Sequence, residues 1–328
     1  MGPGRSRSHG ARHVAYIASS EIHIVEPQLL TVAEGVYAWI GAGGDSNAGA
    51  IDTPHGLLAI DAQQYPRLAR QFRAAIEATT GKPIRMLINT HCHLDHTAGN
   101  IVFADVPILA HDKTLAAMHA NLGPKNGEHW SVSDYGTKIK MLFGQNLFDL
   151  VPENDPAQAW FRQRIGLPDY DIMIIAPPTK TFADHFTFDL PKDVMRLNYW
   201  GPAHCDGDII ISLEKAKVVF LGDLLFYGRF PWLGDCDLSG LIDRLARVLT
   251  LDVSVVIPGH GMPTDLAQVR RFRDMLVALR SAVDRGITAG VSEEAAVCEV
   301  KLPQYADIPR YADWLPHDVR ATYRYLRG

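Results

Sequence analysis

The sequence lacks the features that mark several large classes of protein. It has no run of about 18 or more apolar residues, so we expect no membrane-spanning helix and no membrane partner. Its four cysteines are too few for a disulfide scaffold and leave the redox compartment open. Basic residues are not in excess, because 32 lysines and arginines face 37 acidic residues and the formal net charge is −5. We therefore expect no nucleic-acid partner.

The first 20 residues also lack the apolar core of a secretory signal peptide. They are rich in arginine, glycine, serine and histidine, so residues 1–20 are predicted to form a flexible tail. We expect a cytoplasmic protein on this basis. The remainder is predicted to comprise one domain over residues 21–290 and a helical extension over residues 291–328 that packs on it.

Strand-like and helix-like segments alternate along the chain. Strands are predicted at 31–42, 47–52, 56–61, 84–89, 106–110, 181–190, 194–200, 208–213, 217–221 and 253–257. Helices are predicted at 66–79, 112–121, 237–250 and 265–285. This order predicts an α/β (α+β) fold in which helices cover sheets.

Residues 122–180 mix glycine, proline, asparagine and aromatic residues without a clean period, over a longer interval than ordinary connections. We interpret this segment as a helical insertion that forms a lid over a pocket. Its aromatic residues are Trp130, Tyr135, Phe143, Phe148, Trp160 and Phe161. They predict an apolar roof and a small-molecule substrate with a hydrophobic acyl part. Equally, they are suited to packing the flap itself or to burying a homodimer contact.

Four metal-binding residue types follow the predicted strand 84–89 within six positions: His91, His93, Asp95 and His96. Side chains two residues apart on an extended backbone point to the same side, so His91 and His93 can bind one cation together. Asp95 and His96 can turn towards a second position. Because a helix would scatter these four side chains, we expect a loop. The cluster predicts a metal site.

Three further candidates, His204, Asp223 and His260, each follow a predicted strand and are each expected on a loop. Glycines near each of them permit unusual backbone torsions that aim a side chain into a cleft. Cys92 and Cys205 each adjoin a candidate histidine, and thiolate also binds zinc well. The histidine and aspartate set is complete without them, so we expect these cysteines to be small buried residues. The same applies to Cys236, which follows the Asp223 segment.

Taken in order, these motifs and Asp61, at the end of the strand Leu57–Asp61, resemble the metallo-β-lactamase superfamily over about residues 30–285. The resemblance implies a four-layer αββα sandwich with metals at one edge. It implies two zinc ions per chain, with iron or manganese as alternatives. Asp61 is implied to hold the metal-binding loop in place.

The implied ligands fall into two groups. The first zinc is implied to bind His91, His93 and His204; the second, Asp95, His96 and His260; and Asp223 bridges both. An aspartate at this last position is typical of the thioesterase, glyoxalase-type and lactonase branches rather than of lactamases with this signature. The position where lactonases have a tyrosine is Phe226 here, with Tyr227 next to it. The chain is most similar to the uncharacterised hydrolase branch that includes quinoprotein-associated zinc hydrolases.

The implied activity is attack by a hydroxide, held between two zinc ions, on an ester, thioester, lactone or amide carbonyl. Asp95 is expected to orient this hydroxide and to pass its proton to the leaving group. Tyr227 and His185 are candidates for a donor to the oxyanion. The alternatives are an iron-dependent persulfide dioxygenase, a β-lactamase, and a metal-bound but inactive binding protein.

Overall fold

Two β-sheets form the centre of the structure, a computed structural model that describes residues 26–41, 46–64, 66–122, 131–133, 172–174, 176–234 and 236–328. The strands are β1 (Gln28–Ala33), β2 (Val36–Ile40), β3 (Ala48–Thr53), β4 (Gly56–Ile60), β5 (Ile84–Ile88), β6 (Ile108–His111), β7 (Ser131–Ser133), β8 (Ile172–Ile174), β9 (Lys180–Phe182), β10 (His185–Leu190), β11 (Asp193–Tyr199), β12 (Ile209–Leu213), β13 (Val218–Phe226) and β14 (Val255–His260). The helices are α1 (Pro66–Thr80), α2 (Leu94–Thr97), α3 (Asp112–Leu122), α4 (Leu238–Val248), α5 (Leu266–Thr288), α6 (Glu293–Glu299) and α7 (Tyr311–Arg327). Short 3-10 helices occupy Ala98–Phe103 and Pro303–Tyr305.

The first sheet has seven strands in the order β1-β2-β3-β4-β5-β6-β9 and the second has five in the order β10-β11-β12-β13-β14. Strands β4, β5, β6 and β9 run parallel, and β14 runs parallel to β13. The other pairs in these two sheets are antiparallel. Parallel neighbours bring the carboxyl ends of β4 and β5, and of β13 and β14, to common edges, which is where ligands commonly bind.

Side chains that alternate between the two faces of each strand pack the layers together. In β4, Leu58 and Ile60 belong to the apolar cluster between the two sheets, whereas Leu57 and Ala59 pack with Phe72 of α1 on the outer face. This is the period of two that an extended chain gives when both of its faces are covered. The first sheet is therefore buried on one side by the second sheet and on the other by helix.

The second sheet is covered in the same way. Val218 of β13 faces the first sheet, while Val219 packs into a cluster formed with α4 and α5. Trp314 and Leu315 of α7 are buried in that same cluster. The expected four-layer αββα arrangement, with helices outside both sheets and a helical tail on the second, is therefore observed.

Helix predictions are confirmed with small shifts at the ends. α1, α3, α4 and α5 lie at 66–80, 112–122, 238–248 and 266–288. Asp237 and Asp265 cap α4 and α5 by accepting backbone N–H hydrogen bonds in the first turn. Gly81, at φ +68°, follows α1 in the left-handed conformation that commonly ends a helix.

Two strand predictions were wrong in detail. Residues 31–42 are not one strand, because the chain reverses at Gly35 (φ +71°) and forms the antiparallel pair β1 and β2. Residues 181–190 are likewise two strands, since β9 joins the first sheet and β10 the second. In both cases residues of high strand propensity continue on either side of the turn, so propensity alone does not reveal the break.

The predicted tail 1–20 lies outside the described residues. Most of the predicted insertion 122–180 and all six of its aromatic residues also lie outside them. Within 123–179 the described residues form no helix, and β7 pairs with β8 as a separate two-stranded sheet. The division into a domain, an insertion and an extension stays a prediction. Among the described residues, no helix is both long and apolar enough to cross a membrane.

Candidate metal centre

All seven residues that the resemblance implies as metal ligands lie together at one edge of the sandwich. They form two groups that share Asp223: one adds His91, His93 and His204, and the other adds Asp95, His96 and His260. Within each group, the candidate ligand atoms lie within 4.8 Å of one another. The convergence is a property of the structure; metal binding by these residues stays a prediction.

The segment after β5 is only partly a loop. His93 has an extended backbone (φ −65°, ψ 147°) and precedes the one-turn helix α2, on which Asp95 and His96 lie. The expectation of a loop throughout was therefore wrong. Consecutive residues on a helix point about 100° apart, so Asp95 and His96 are directed differently without being scattered away from the site.

Asp223 and His260 were expected on loops, but both lie within strands. Gly222, at φ +51°, lets β13 continue through a bend close to the segment after β5, where a Cβ atom would lie 2.8 Å from Oγ1 of Thr90. At Gly259 a Cβ atom would lie 1.9 Å from Oδ1 of Asp223. Glycines therefore allow β13 and β14 to approach closely enough for Asp223 and His260 to share one site.

The distances within the first group are short. His204 Nε2 lies 3.0 Å from His93 Nδ1 and 3.3 Å from Asp223 Oδ2. His91 Nε2 lies 3.9 Å from the same carboxylate oxygen. These separations resemble the edges of a tetrahedron of ligands at about 2.0–2.2 Å from a zinc ion, which are about 3.3–3.6 Å.

The second group is equally close. His96 Nε2 lies 3.1 Å from Asp223 Oδ1, and His260 Nε2 lies 3.1 Å from Asp95 Oδ2. His260 Nε2 is also 3.4 Å from Asp223 Oδ2. Asp223 therefore borders both groups, as a bridging ligand must.

The inward-facing His91 Nε2 is buried and makes no hydrogen bond within the described part of the chain. Buried polar atoms without a partner are costly, and such atoms in a native fold call for an explanation. A pair of divalent cations supplies one, because imidazole nitrogen and carboxylate oxygen are suitable ligands for zinc. The residues present therefore fit the group that the resemblance implies.

Asp61 holds the segment that carries His91 and His96 from behind, as the resemblance implied. Its Oδ1 accepts the backbone N–H of Thr90 at 2.7 Å, and its Oδ2 accepts the Thr90 hydroxyl at 2.7 Å. The Thr90 hydroxyl has only that one proton, so it accepts from His91 Nδ1 at 3.0 Å. His96 Nδ1 lies 2.8 Å from Asp61 Oδ2 and donates to it. Both rings consequently direct Nε2 to the site.

Burial lowers the pKa of the buried histidines at the site, whereas neighbouring carboxylates raise it. Burial lowers the pKa of His204 to about 3 and, with the nearby charge of His96, lowers that of His91 well below its usual range. Burial opposes protonation of His96 and His260 too, but the adjacent carboxylates outweigh it and raise the pKa of both. In the metal-free protein the carboxylates therefore favour the protonated form of these two rings, and a bound cation would displace those protons.

Two aromatic rings lie against the histidines of the site. The Phe226 ring stacks on His260, with centroids 5.1 Å apart and an angle of 4° between the planes. The Trp232 ring lies 5.1 Å from His93 and 5.8 Å from His204. Of the two acids in the groups, Asp95 is the more accessible, since its side chain is 29% exposed and that of Asp223 only 4%.

The two candidate oxyanion donors, Tyr227 and His185, differ in their position relative to the site. Tyr227 adjoins the site through its backbone, whose N–H donates to the His260 carbonyl at 3.0 Å. Its side chain is half-buried, and a role for its hydroxyl stays a prediction. His185 is exposed on the edge strand β10, three strands from β13, or about 14 Å at normal strand spacing. This position does not support a role for His185 at the site.

Several residues that support the site were not identified from the sequence. Asn47 donates from Nδ2 to the carbonyls of Pro258 and Gly261, and so connects the first sheet to the end of β14. Ser46 donates its hydroxyl to the Asp95 carbonyl, and Gln63 donates to the Ser46 carbonyl at 2.6 Å. Polar residues of this kind carry no ligand signature. For Gln63, the feature of the sequence that could have pointed to a supporting role is its position two residues after Asp61.

Neither ligand group includes a cysteine, although all four cysteines lie in the described part of the chain. Cys92 and Cys205 point towards each other beside the first group, with their sulfur atoms 3.8 Å apart. The expectation that cysteine does not replace a histidine agrees with this geometry.

Comparison with known proteins gives relatives of several activities. The chain is 24% identical over 243 residues to the 2,4-dinitroanisole O-demethylase subunit alpha of Nocardioides sp., covering 72% of this chain but only 56% of that protein. It is 29% identical over 208 residues to hydroxyacylglutathione hydrolase GloC of Haemophilus influenzae, covering 59% of this chain and 76% of that one.

The fold has solved counterparts too. A metallo-β-lactamase from Pontibacter korlensis superposes with a TM-score of 0.55 at 16% identity, over 76% of this chain and 99% of its own. At that identity the likeness shows the fold alone. The family model described as the metallo-β-lactamase superfamily matches residues 41–260, a span that includes the candidate metal centre from Ser46 to His260. With the sandwich, the site and this match in agreement, the chain belongs to the metallo-β-lactamase superfamily.

Proposed function

We propose that the protein is a metal-dependent hydrolase that binds two divalent cations, with zinc as the first choice. The observation that carries this proposal is the pair of ligand groups that share the buried Asp223. When bound, two such cations supply a Lewis acid for a carbonyl oxygen and lower the pKa of water enough to make hydroxide available near neutral pH.

The residues of the chain would hold the cations and orient the ligand side chains. Five buried residues, His91, His96, His204, Asp223 and His260, together with His93 and Asp95, would hold the cations with little freedom to move. Asp61 and Thr90 fix the ring orientations of His91 and His96, which preserves the ligand atoms on the inner side. Asp223 lies between the two groups and would set the separation of the cations.

Asp95 is the residue best placed to move a proton. Its Oδ2 lies 3.1 Å from His260 Nε2, and its partial exposure brings the carboxylate to the open side of the site. There it can orient water, accept its proton and return that proton to a leaving group. We propose this role for Asp95 on position and chemistry together.

The substrate class that we propose is an ester or thioester, with lactones and amides as related carbonyl substrates. Trp232, which is half-buried and lies next to His93, gives the described side of the site an apolar surface that suits a hydrophobic acyl part. The similarity to a hydroxyacylglutathione hydrolase supports hydrolysis of acyl compounds.

The first test is metal analysis of the purified chain, combined with ester, thioester, lactone and β-lactam substrates with and without a chelator. We expect two equivalents of metal and hydrolysis that stops on chelation. Hydrolysis that is insensitive to the chelator would contradict the proposal. Oxygen uptake with a persulfide substrate, in place of hydrolysis, would favour the iron-dependent alternative.

Two substitutions sharpen this test. His204→Ala should lose most of one metal equivalent, whereas His185→Ala, at the exposed edge of the second sheet, should keep both. Asp95→Asn should keep the fold and lower the turnover number by at least about 100-fold. Asp105→Asn, whose side chain is 58% exposed, is the matched control. Two retained equivalents in His204→Ala would show that the first ligand group is wrongly assigned.

A further inference from the structure

Two thiols lie side by side between the loops that carry the first ligand group. Cys92 is located between His91 and His93 after β5, and Cys205 follows His204 between β11 and β12. Their sulfur atoms are 3.8 Å apart, although the residues are separated by 113 positions in the chain. Only the tertiary structure brings this pair together.

The surroundings of Cys205 hold its thiol in this place. Asp208 accepts the backbone N–H of Cys205 at 2.7 Å and its thiol at 3.5 Å. A disulfide bond is about 2.05 Å long, so the two sulfurs need to approach by about 1.8 Å, a distance within reach of side-chain rotation. Cys205 is buried, while Cys92 is half-buried and therefore the thiol that an oxidant reaches first.

We propose that Cys92 and Cys205 are a redox-sensitive pair that forms an intramolecular disulfide on exposure to a peroxide. The bond joins the loop of His91 and His93 to the loop of His204. The inference is independent of the proposed hydrolase activity, because it requires only the two thiols and the fold.

The chemistry balances with hydrogen peroxide as the oxidant. The Cys92 sulfur attacks one peroxide oxygen, the O–O bond breaks, and Cys92 becomes a sulfenic acid while one water leaves. The Cys205 sulfur then attacks the Cys92 sulfur, the S–O bond breaks, and the thiol proton leaves with the hydroxide as a second water. Two thiols lose two electrons and two protons, and one peroxide is reduced to two waters.

The bond would brace the ligand loops whether or not a cation is present. His93 Nδ1 and His204 Nε2, which lie 3.0 Å apart, belong to residues directly next to the two cysteines. A cross-link over 113 positions also restricts the unfolded chain strongly. Oxidation should therefore raise the melting temperature of the metal-free protein by about 5 °C or more.

The test uses the full chain, as purified and after metal removal, reduced and then exposed to hydrogen peroxide. Thiols that remain are alkylated, and the digest is analysed by mass spectrometry. We expect a linked pair of peptides containing Cys92 and Cys205, with a loss of two hydrogen masses, in protein that runs as a monomer on a non-reducing gel.

A double variant, Cys236→Ser with Cys298→Ser, retains only the proposed pair and should fall from two titratable thiols to none on oxidation. Cys92→Ser and Cys205→Ser, each in the otherwise unchanged chain, should lose both the linked peptide and the rise in melting temperature. The proposal fails if oxidised wild-type protein contains only intermolecular disulfides, or if Cys92 is over-oxidised while Cys205 stays a thiol. An unchanged melting temperature in protein that carries the linkage would refute the bracing effect.

Discussion

Asp61 shows how one carboxylate behind the site controls which nitrogen of a neighbouring ring is available. It accepts hydrogen bonds from Thr90 and from Nδ1 of His96, and through Thr90 it also determines the tautomer of His91. Its backbone at φ 56° is unusual for a residue other than glycine, and such strain is common at functional sites.

Asp61→Asn should therefore disturb the metal centre without removing any ligand. An amide nitrogen in place of Oδ2 would meet the N–H of His96, so His96 would turn its lone pair to Nδ1 and present a proton at Nε2. We expect metal affinity at the second group to fall by about 10- to 100-fold, as measured by competition with a chelator. Asp105→Asn is the control, and unchanged affinity in Asp61→Asn would refute the tautomer argument.

Asp208 gives a prediction about pH. Burial raises the pKa of Asp208 to about 7, above its usual value of 3.8. Below about pH 4 the carboxyl is protonated in both states; between pH 4 and 7 it ionises only in the unfolded chain, which lowers stability as pH rises. The loss approaches about 4 kcal/mol at neutral pH, at 1.36 kcal/mol per pKa unit.

Asp208→Asn should remove this component. We expect the unfolding free energy of the metal-free variant, measured with urea, to vary less between pH 4 and 7 than that of the wild type. Asp206→Asn changes an exposed acid two residues away and should keep the wild-type profile. A variant profile that still falls as steeply with pH would show that Asp208 is ionised in the folded protein.

At the scale of elements, β13 and β14 decide where Asp223 and His260 meet. The sequence placed both residues after strands, since glycine and proline interrupt the apolar runs there. In the structure the pairing of β13 with β14 continues through these residues, with irregular register at Gly222. Apolar pattern marks the buried part of a strand, whereas backbone pairing extends further, so the ends of strands were the least predictable feature.

Gly259→Ala tests the close approach of these two strands. The new methyl group would lie 1.9 Å from Asp223 Oδ1 and 2.6 Å from the carbonyl carbon of Gly222, so the strands or the carboxylate must move. We expect loss of bound metal, by elemental analysis, and destabilisation by about 1–3 kcal/mol.

Gly286→Ala in α5 is the matched control, because its nearest neighbour would be Val291 Cβ at 3.8 Å. Alanine there should stabilise the helix by about 0.5–1 kcal/mol and leave the metal content unchanged. If Gly259→Ala retained its metal and its stability, the strands would be more adaptable than the structure indicates.

At the scale of the molecule, the C-terminal helices complete the outer layer of the second sheet. Trp314 of α7 is 4% exposed and packs in the cluster that also contains residues of α4, α5 and β13. Its ring lies 5.3 Å from the guanidinium of Arg229, which in turn lies 5.2 Å from the Phe226 ring beside the site. Two side chains, those of Arg229 and Phe226, therefore connect Trp314 to His260 of the candidate metal centre.

Trp314→Ala should destabilise the protein by about 3–5 kcal/mol, the usual range for removal of a buried aromatic side chain. Urea unfolding of the metal-free chain measures this change. Phe186→Ala removes an aromatic ring that is 38% exposed and should change stability by about 1 kcal/mol at most. Equal effects of the two substitutions would mean that α7 contributes little to the core.

The sequence by itself determined which residues can bind a metal and which faces of strands and helices are apolar. Both depend on side-chain chemistry and on local spacing, which the covalent chain fixes. Only the family resemblance implied that Asp223 is shared by two groups, and nothing in the sequence indicated that Asp61 contacts both Thr90 and His96 or that Cys92 lies beside Cys205. These relations depend on distances between remote segments, and only the packing of two sheets against each other and their helices sets those distances.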